Sequence, residues 1–390
     1  MWLLTAEARR WRGEITDAET AGREAMRWLP VGSRAWFGAA AEVAVASGRL
    51  GHHELLTSLA TELSAVRERG GRIGGPQVIA MARTALQLLY AGRYELADGL
   101  LERIELQATR FATHDPRVAA RIYAAQATRE KVSGDPGSYL GLQGAAAESF
   151  EQAGDLRSAL AQRNNVGFAC LELGAYADAE RALRGALTGA ERMGLSGLAA
   201  AVRNNLGLAL SCLGAVAEAR QMEAAAIEAF VAQGDRRMEG ASRLYLAKIL
   251  LGAGDLDAAE REAKAAVATL EVSPPSRAHA LAVLAQVLLA RGEPGRALEA
   301  AIEATGLLES LGGIGEGECV VRLAHAESLA ATGEKEAART AIRAAMGQLG
   351  RRSARIRDDS WRASFLGQVP ENARVVALAK EWGVEIATSG

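Results

Sequence analysis

Two segments of this chain repeat one pattern about forty residues apart: RNNVGFACLELGAYADAE beginning at Arg163 and RNNLGLALSCLGAVAEAR beginning at Arg203. Each carries two adjacent asparagines at the same place. Asparagine is a poor interior helix residue, worse than alanine by roughly 0.5 kcal/mol, because its amide competes for backbone hydrogen bonds. Matched positions therefore point to work done by the amide. A primary amide offers a donor and an acceptor, so it can pair with a peptide group whatever side chain that peptide carries. The alternative role is a neutral, wetted residue where an apolar side chain would be a liability. A step of 100° per residue separates the two neighbours around the helix. Asn165 and Asn205 are expected to face a groove, with Asn164 and Asn204 nearer the helix-helix contact. Replacing Asn165 and Asn205 by alanine is then expected to weaken a ligand and barely affect folding.

Other reactive groupings are incomplete. No nucleophile-base pair is recognisable, and the chain holds no Gly-Lys dipeptide, no His-Arg-Asp and no Asp-Phe-Gly, which removes the P-loop and protein-kinase signatures. His52, His53, Glu54 and His279 have no partners at metal-ligand spacing and are expected to be surface or groove residues. Cys170, Cys212 and Cys319 are widely separated and lack a CxxC pair, so buried free thiols are expected. GGIGEG from Gly312 is glycine-rich, but no strand precedes it, and a turn is the expected role. Arg351, Arg352, Arg355 and Arg357 run into Asp358 and Asp359, which reads as a solvated loop; contact with an anionic partner is the alternative. The expected class is non-enzymatic, with no cofactor and no metal.

The elements that position these residues are helices. A net charge of -2 over 390 residues argues against a dedicated nucleic-acid or anionic-membrane surface. Apolar residues make up 49% of the chain but aromatics only 5%, a mixture suited to helices packed through alanine. The best apolar run, Ala280 to Ala290, is broken by Gln286 and too short to span a bilayer, and Met1 to Leu4 is too short for a signal-peptide core. A cytoplasmic location is expected.

Carrying the register outward from the quoted segments places a turn glycine at Gly13, Gly48, Gly92, Gly134, Gly174, Gly214, Gly254, Gly292 and Gly333. A second set of breakers falls midway, among them Asp115-Pro116, Gly154-Asp155, Gly234-Asp235 and Pro274-Pro275. Each unit is a helical hairpin. The expected fold is all-α: a right-handed αα-hairpin solenoid of about nine hairpins with a period near forty, each touching mainly its neighbours. Residues 1–350 are read as the repeat array and 351–390 as a helical cap continuous with it. The tryptophans support the cap: Trp2, Trp11, Trp28 and Trp36 lie at one end, Trp361 and Trp382 at the other, and the middle has none.

Gly167, Gly174, Ala179 and Leu183 match the pattern of small residue, turn glycine and Ala-x-x-x-Phe/Leu. Gly207, Gly214, Ala219 and Glu223 follow it with an acid in the last place, and Ala247, Gly254, Ala259 and Ala263 with a small residue there. On these residues the chain resembles a tetratricopeptide repeat (TPR) array, in the longer-repeat variety of bacterial regulators and kinesin light chains. The resemblance implies a concave wall built from the first helix of each hairpin, where Asn at this register often bonds the backbone of an extended peptide. Projected through the hairpins, that wall carries Arg83, Arg121, Asn165, Phe168, Glu172, Asn205, Leu208, Tyr245, Lys248, His279 and Gln286. A peptide or protein partner bound there, as part of a bacterial signalling system, is the function implied. The segment LGGIGEGECVVRLAHAESLAATGEKEAARTAI with DDSWRASFLGQVPENARVVALAKEW further resembles the closing part of the TPR region in large bacterial signalling proteins. Those proteins carry a serine/threonine kinase or AAA-type ATPase, so a regulator of such a domain, upstream or in trans, is the alternative.

Overall fold

A glycine followed by an aspartate makes four of the corners. At Gly134-Asp135, Gly154-Asp155, Gly234-Asp235 and Gly254-Asp255 the glycine ends one helix, and the aspartate accepts a backbone N–H from the first turn of the next. The donors are Ser138 at 2.9 Å, Ser158 at 3.1 Å, Met238 at 3.2 Å and Ala258 at 3.4 Å. A cap of this kind contributes about 1 kcal/mol. Two residues thus close one helix and open another, and no long loop is needed between them.

The computed structural model describes residues 1–66, 73–112 and 115–384. Its hairpins pair α1 (Trp2–Arg12) with α2 (Ile15–Trp28), α3 (Arg34–Leu50) with α4 (His53–Ala65), and α5 (Gly75–Tyr90) with α6 (Tyr94–Ala112). They continue with α7 (Pro116–Ser133) and α8 (Pro136–Gln152), α9 (Leu156–Glu172) and α10 (Tyr176–Arg192), and α11 (Ser196–Cys212) and α12 (Val216–Gln233). Then come α13 (Arg236–Gly252) and α14 (Leu256–Thr269), α15 (Pro274–Ala290) and α16 (Pro294–Ser310), and α17 (Glu318–Ala331) and α18 (Lys335–Arg355). Two shorter helices follow, α19 (Asp359–Gly367) and α20 (Pro370–Glu381). The expected all-α hairpin solenoid is present, with no strand among the described residues. The division expected at residue 350 falls inside α18, and residues 385–390 of the expected cap lie outside the described residues. Gly48 is not a corner: it lies within α3 against Gln87, and the corner is Gly51.

Within a hairpin the small residues admit the partner helix. A Cβ on Gly167 would stand 2.5 Å from Leu183, and one on Gly207 would stand 2.6 Å from Glu223. Leu183 and Glu223 thus occupy equivalent places, but Glu223 is wholly buried and neither carboxylate oxygen has a hydrogen-bond partner. Burial pushes its pKa well above the usual carboxylate value, so the folded chain keeps it protonated while the unfolded chain ionises. Stability is therefore lost as pH rises above the unfolded value. Glu223→Leu, which copies Leu183, is expected to stabilise the protein by about 1–3 kcal/mol at neutral pH. In urea unfolding the gain should shrink on acidification toward pH 4; a variant less stable than the parent at pH 7 contradicts this account.

Hairpins touch mainly their neighbours, as expected, but a smaller set of contacts also joins hairpins about half the chain apart. Ser196 donates to the Arg12 carbonyl (2.9 Å), Arg49 pairs with Asp235 (2.5 Å), His53 Nε2 donates to the Val272 carbonyl (2.8 Å) and Ser273 donates to the Tyr90 carbonyl (3.0 Å). Farther on, Arg355 donates to the Ser133 carbonyl (2.8 Å) and the Tyr176 hydroxyl to the Gln368 carbonyl (3.1 Å). These partners lie between 183 and 222 residues apart. A small rotation per hairpin accumulates until the coil meets itself after roughly five units. The approach is close: a Cβ on Gly51 would stand 2.7 Å from the Val272 side chain. His53, expected at the surface or in the groove, is therefore part of the clasp between coils.

The closing helices cover a core of their own. Phe365, Val375 and Leu378 pack with Leu173, Leu323, Ile342 and Leu349, and Trp382 lies against that cluster. Of the other tryptophans, Trp36 is buried while Trp2 and Trp28 are exposed. The expectation of buried thiols holds for Cys170 and fails for Cys212, which is exposed, and for Cys319, which is half-buried.

Candidate functional site

The inner wall is made by the first helix of each hairpin, and residues three, four and seven apart share its face. Because the coil closes on itself, this wall surrounds a lumen. One cavity of about 330 Å³ is lined by Gln87, Tyr90, Thr128, Lys131, Asn164, Asn165, Phe168, Asn204, Asn205, Tyr245, His279 and Glu316. A second, of about 530 Å³, is lined by Phe168, Glu172, Leu208, Cys212, Lys248, His279, Gln286, Glu316, Glu327 and Glu371. Phe168, His279 and Glu316 belong to both and mark their boundary.

The asparagines form a ladder across helices. Asn205 Nδ2 donates to Asn164 Oδ1 at 3.0 Å, Asn204 Nδ2 to Asn205 Oδ1 at 3.3 Å, and the Ser242 hydroxyl to Asn204 Oδ1 at 2.8 Å. Asn165 is less committed: it is half-buried, and its amide reaches Gln162 at 3.2 Å and Gln143 at 3.5 Å. The expected division between groove and helix contact does not hold, since all four asparagines line the first cavity. In so narrow a lumen the seam between adjacent helices is itself part of the wall.

Glu316 enters the lumen from the loop between α16 and α17. Its carboxylate accepts from the Tyr245 hydroxyl at 2.6 Å and from Lys131 Nζ at 3.1 Å, and His279 Nδ1 stands 3.8 Å away. Burial works to raise its pKa, but Lys131 and His279 outweigh this and hold it at about 2. Burial first, then the charge of Lys248, brings His279 down to about 4, so its imidazole is neutral at physiological pH. His279 Nε2 is buried without a partner. The loop reaches this depth because Gly317 adopts φ 81° with its Cα side against the imidazole, where a Cβ would stand 2.2 Å from His279 Cγ.

The second cavity is closed by the N-terminus of α20. Lys248 Nζ meets Glu371 at 3.5 Å, and Arg352 meets Glu172 at 3.6 Å with its guanidinium 5.8 Å from the Phe365 ring. Burial pushes the Glu172 carboxyl up, against the pull of Lys131 and Arg352. Arg352 is thus a buried residue of α18 and not part of a solvated loop.

Of the residues projected onto the wall, Asn165, Asn205 and Tyr245 line the first cavity, Glu172, Leu208, Lys248 and Gln286 line the second, and Phe168 and His279 line both. Arg83 and Arg121 lie outside these two linings, nearer the N-termini of α5 and α7. Sequence reasoning missed Lys131, whose ammonium sits 3.8 Å over the Phe168 ring. Counted from the turn glycines Gly134 and Gly174 it aligns with Leu171, while Thr128 is the equivalent of Phe168, Leu208 and Lys248, so the projected stripe passed beside it. Glu316 and Glu371 were missed because they lie outside the first-helix stripe, and repetition says nothing about which non-repeated segment folds into a lumen.

Among the described residues no group of His, Cys, Asp or Glu is placed to hold a metal ion, and no helix is long and apolar enough to cross a membrane. No family model matches the chain, and no curated protein matches it. Solved structures do resemble it. A Rap protein complexed with Competence and Sporulation Factor superposes with TM-score 0.60 at 14% identity, over 89% of this chain and 99% of that one. The Rap conjugation gene regulator of plasmid pLS20, in complex with a Phr peptide, gives 0.51 at 12% identity over 91% and 100%. Aspartyl phosphate phosphatase F from Bacillus subtilis gives 0.51 at 13% identity over 92% and 96%. None of these three is described as a kinase or an ATPase. At such identities the likeness establishes a fold: this chain is a TPR-like solenoid of helical hairpins.

Proposed function

We propose that the chain is a non-enzymatic peptide-binding module, a regulatory or sensor element of a bacterial signalling system that takes an extended peptide into its lumen. One observation carries this reading: the lumen wall sets the amides of Gln87, Asn164, Asn165, Asn204, Asn205 and Gln286 and the rings of Tyr90, Phe168 and Tyr245 among its charged and aliphatic residues. Amides read the backbone, and rings supply area at little entropic cost. Two solved structures of the same fold are complexes with a signalling factor or peptide, which supports a ligand in the concave space. Free cysteines fit the reducing cytoplasm.

The test is affinity selection from pools of synthetic pentapeptides by the full-length protein, read by mass spectrometry, followed by titration of the selected peptide. Asn165→Ala is expected to weaken that peptide roughly two- to tenfold with an unchanged melting temperature. Asn205→Ala behaves differently from the sequence-based expectation. It leaves Asn164 Oδ1 without its donor, and it should cost about 1–3 kcal/mol of stability as well as affinity. If no pool is retained, the lumen is not a peptide site. If Asn165→Ala binds as tightly as the parent, the amide row is structural.

A further inference from the structure

Apart from Arg352, the basic run that closes the array takes no part in the lumen. From Lys335 to Arg357 the chain carries seven basic residues and one acid, against a net charge of -2 for the whole. Arg343, Arg351, Arg355 and Arg357 are exposed. None of these four meets a carboxylate among the described residues: Arg351 bonds the Gln348 side chain at 2.7 Å, and Arg355 bonds the Ser133 carbonyl at 2.8 Å. The acids close to them in sequence are engaged, Glu336 with Arg339, Asp358 with the first turn of α19 and Asp359 with Arg362.

The array itself shows what such arginines do. Second helices of neighbouring hairpins are laced by ion pairs: Arg184 on α10 meets Glu218 on α12 at 3.0 Å, Arg220 on α12 meets Asp255, the cap of α14, at 3.3 Å, and Arg296 on α16 meets Glu260 on α14 at 3.2 Å. Arg343 stands ten residues after the corner Gly333, as Arg184 stands ten after Gly174. α18 is the last of these second helices, so no following hairpin offers Arg343 an acid, and α19 and α20 pack on a different face of it through Ile342 and Leu349. Between Arg343 and Arg351 the surface is shallow: Ala344, Gly347 and Gly350 are exposed, and a Cβ on Gly350 would meet nothing within 4 Å. Another helix can approach such a face closely.

We propose that the outer face of α18 docks an acidic helix of a partner protein, which takes the place a further hairpin would have and sets carboxylates on Arg343 and Arg351. The two arginines lie eight residues apart, about 12 Å along the axis, or roughly two turns of the docked helix. A second copy docked through the same face would set arginine against arginine, and a nucleic acid would bring its phosphates against the exposed Asp358 and Asp359. The face lies outside both cavities, and the proposal stands without the peptide reading.

The experiment uses the full-length protein and pools of stapled synthetic helices of about eighteen residues, five turns. One pool has glutamates fixed along one face with its other positions varied; matched pools carry glutamine or lysine there, and a DNA duplex is titrated alongside. The parent is expected to retain helices from the glutamate pool, to bind them at least tenfold more tightly than their glutamine counterparts, and to lose affinity as salt is raised. Arg343→Glu combined with Arg351→Glu should abolish that binding and gain the lysine counterparts; both positions are exposed, and melting curves check that the variant folds. Retention of nothing from the glutamate pool, or equal affinity for glutamate and glutamine helices, overturns the proposal. So does tighter binding of the duplex, or self-association of the parent that the double variant loses.

Discussion

Deleting residues 358–390 is expected to lower the melting temperature by roughly 10 °C or more. The segment carries Phe365, Val375 and Leu378, all buried against Leu173, Leu323, Ile342 and Leu349. Burying a side chain of this size contributes about 1.5–3 kcal/mol, so losing three removes roughly 5–9 kcal/mol before any repacking. The cost is local to the end of the solenoid in its origin, but it also frees the α9–α10 corner, where Tyr176 loses the Gln368 carbonyl, and α13, where Lys248 loses Glu371. Circular dichroism melts of the truncated and full chains measure the effect, and the truncated form should bind hydrophobic dyes more strongly. An unchanged melting temperature means that α19 and α20 do not complete the core.

Replacing Glu42 by alanine is expected to destabilise the fold by about 3–5 kcal/mol, because it leaves Arg10 and Arg83 buried with no counter-charge. The pH dependence provides a second reading of the same interaction. Burial alone would raise the Glu42 carboxyl, yet Arg83 and Arg10 hold it at about 2 against an ordinary 4.5. A depressed folded pKa means stability that is complete above about pH 4.5 and is lost as pH falls toward 2. Its size is about 3 kcal/mol, in keeping with the mutational estimate. Urea unfolding at pH 7 and pH 3 should show the gap between parent and variant narrowing on acidification. A gap that is small at pH 7 would mean that the arginines find other partners or water.

Much of the fold was legible because it repeats. The glycine corners, the Asp115-Pro116 helix start and the Gly167–Leu183 contact follow from local rules that recur along the chain, although Gly48 departs from them. The stripe on the first helices was legible for the same reason, and it located Phe168, Tyr245, Lys248 and His279 on the lumen wall. What repetition cannot convey is the sum of many small rotations. No residue near Gly51 announces that Val272 will press against it, and nothing in GGIGEG distinguishes a plain turn from one that carries Glu316 inward. Asn205 shows the same limit: its register was right, but its partner Asn164 could be named only once the spacing between adjacent helices was known.

The contacts between coils change how such a chain must fold. An open solenoid is one-dimensional: any hairpin can nucleate, and each needs only the next one. Here Arg49 waits for Asp235, Tyr90 for Ser273 and Lys131 for Glu316. Closing loops of nearly two hundred residues is entropically demanding and shifts folding toward the slower, more cooperative behaviour of long-range topologies. During synthesis the first half would emerge as an open wall, with Lys131 unpaired and no opposite side. A ligand that needs both walls can therefore be held only after α17 has left the ribosome.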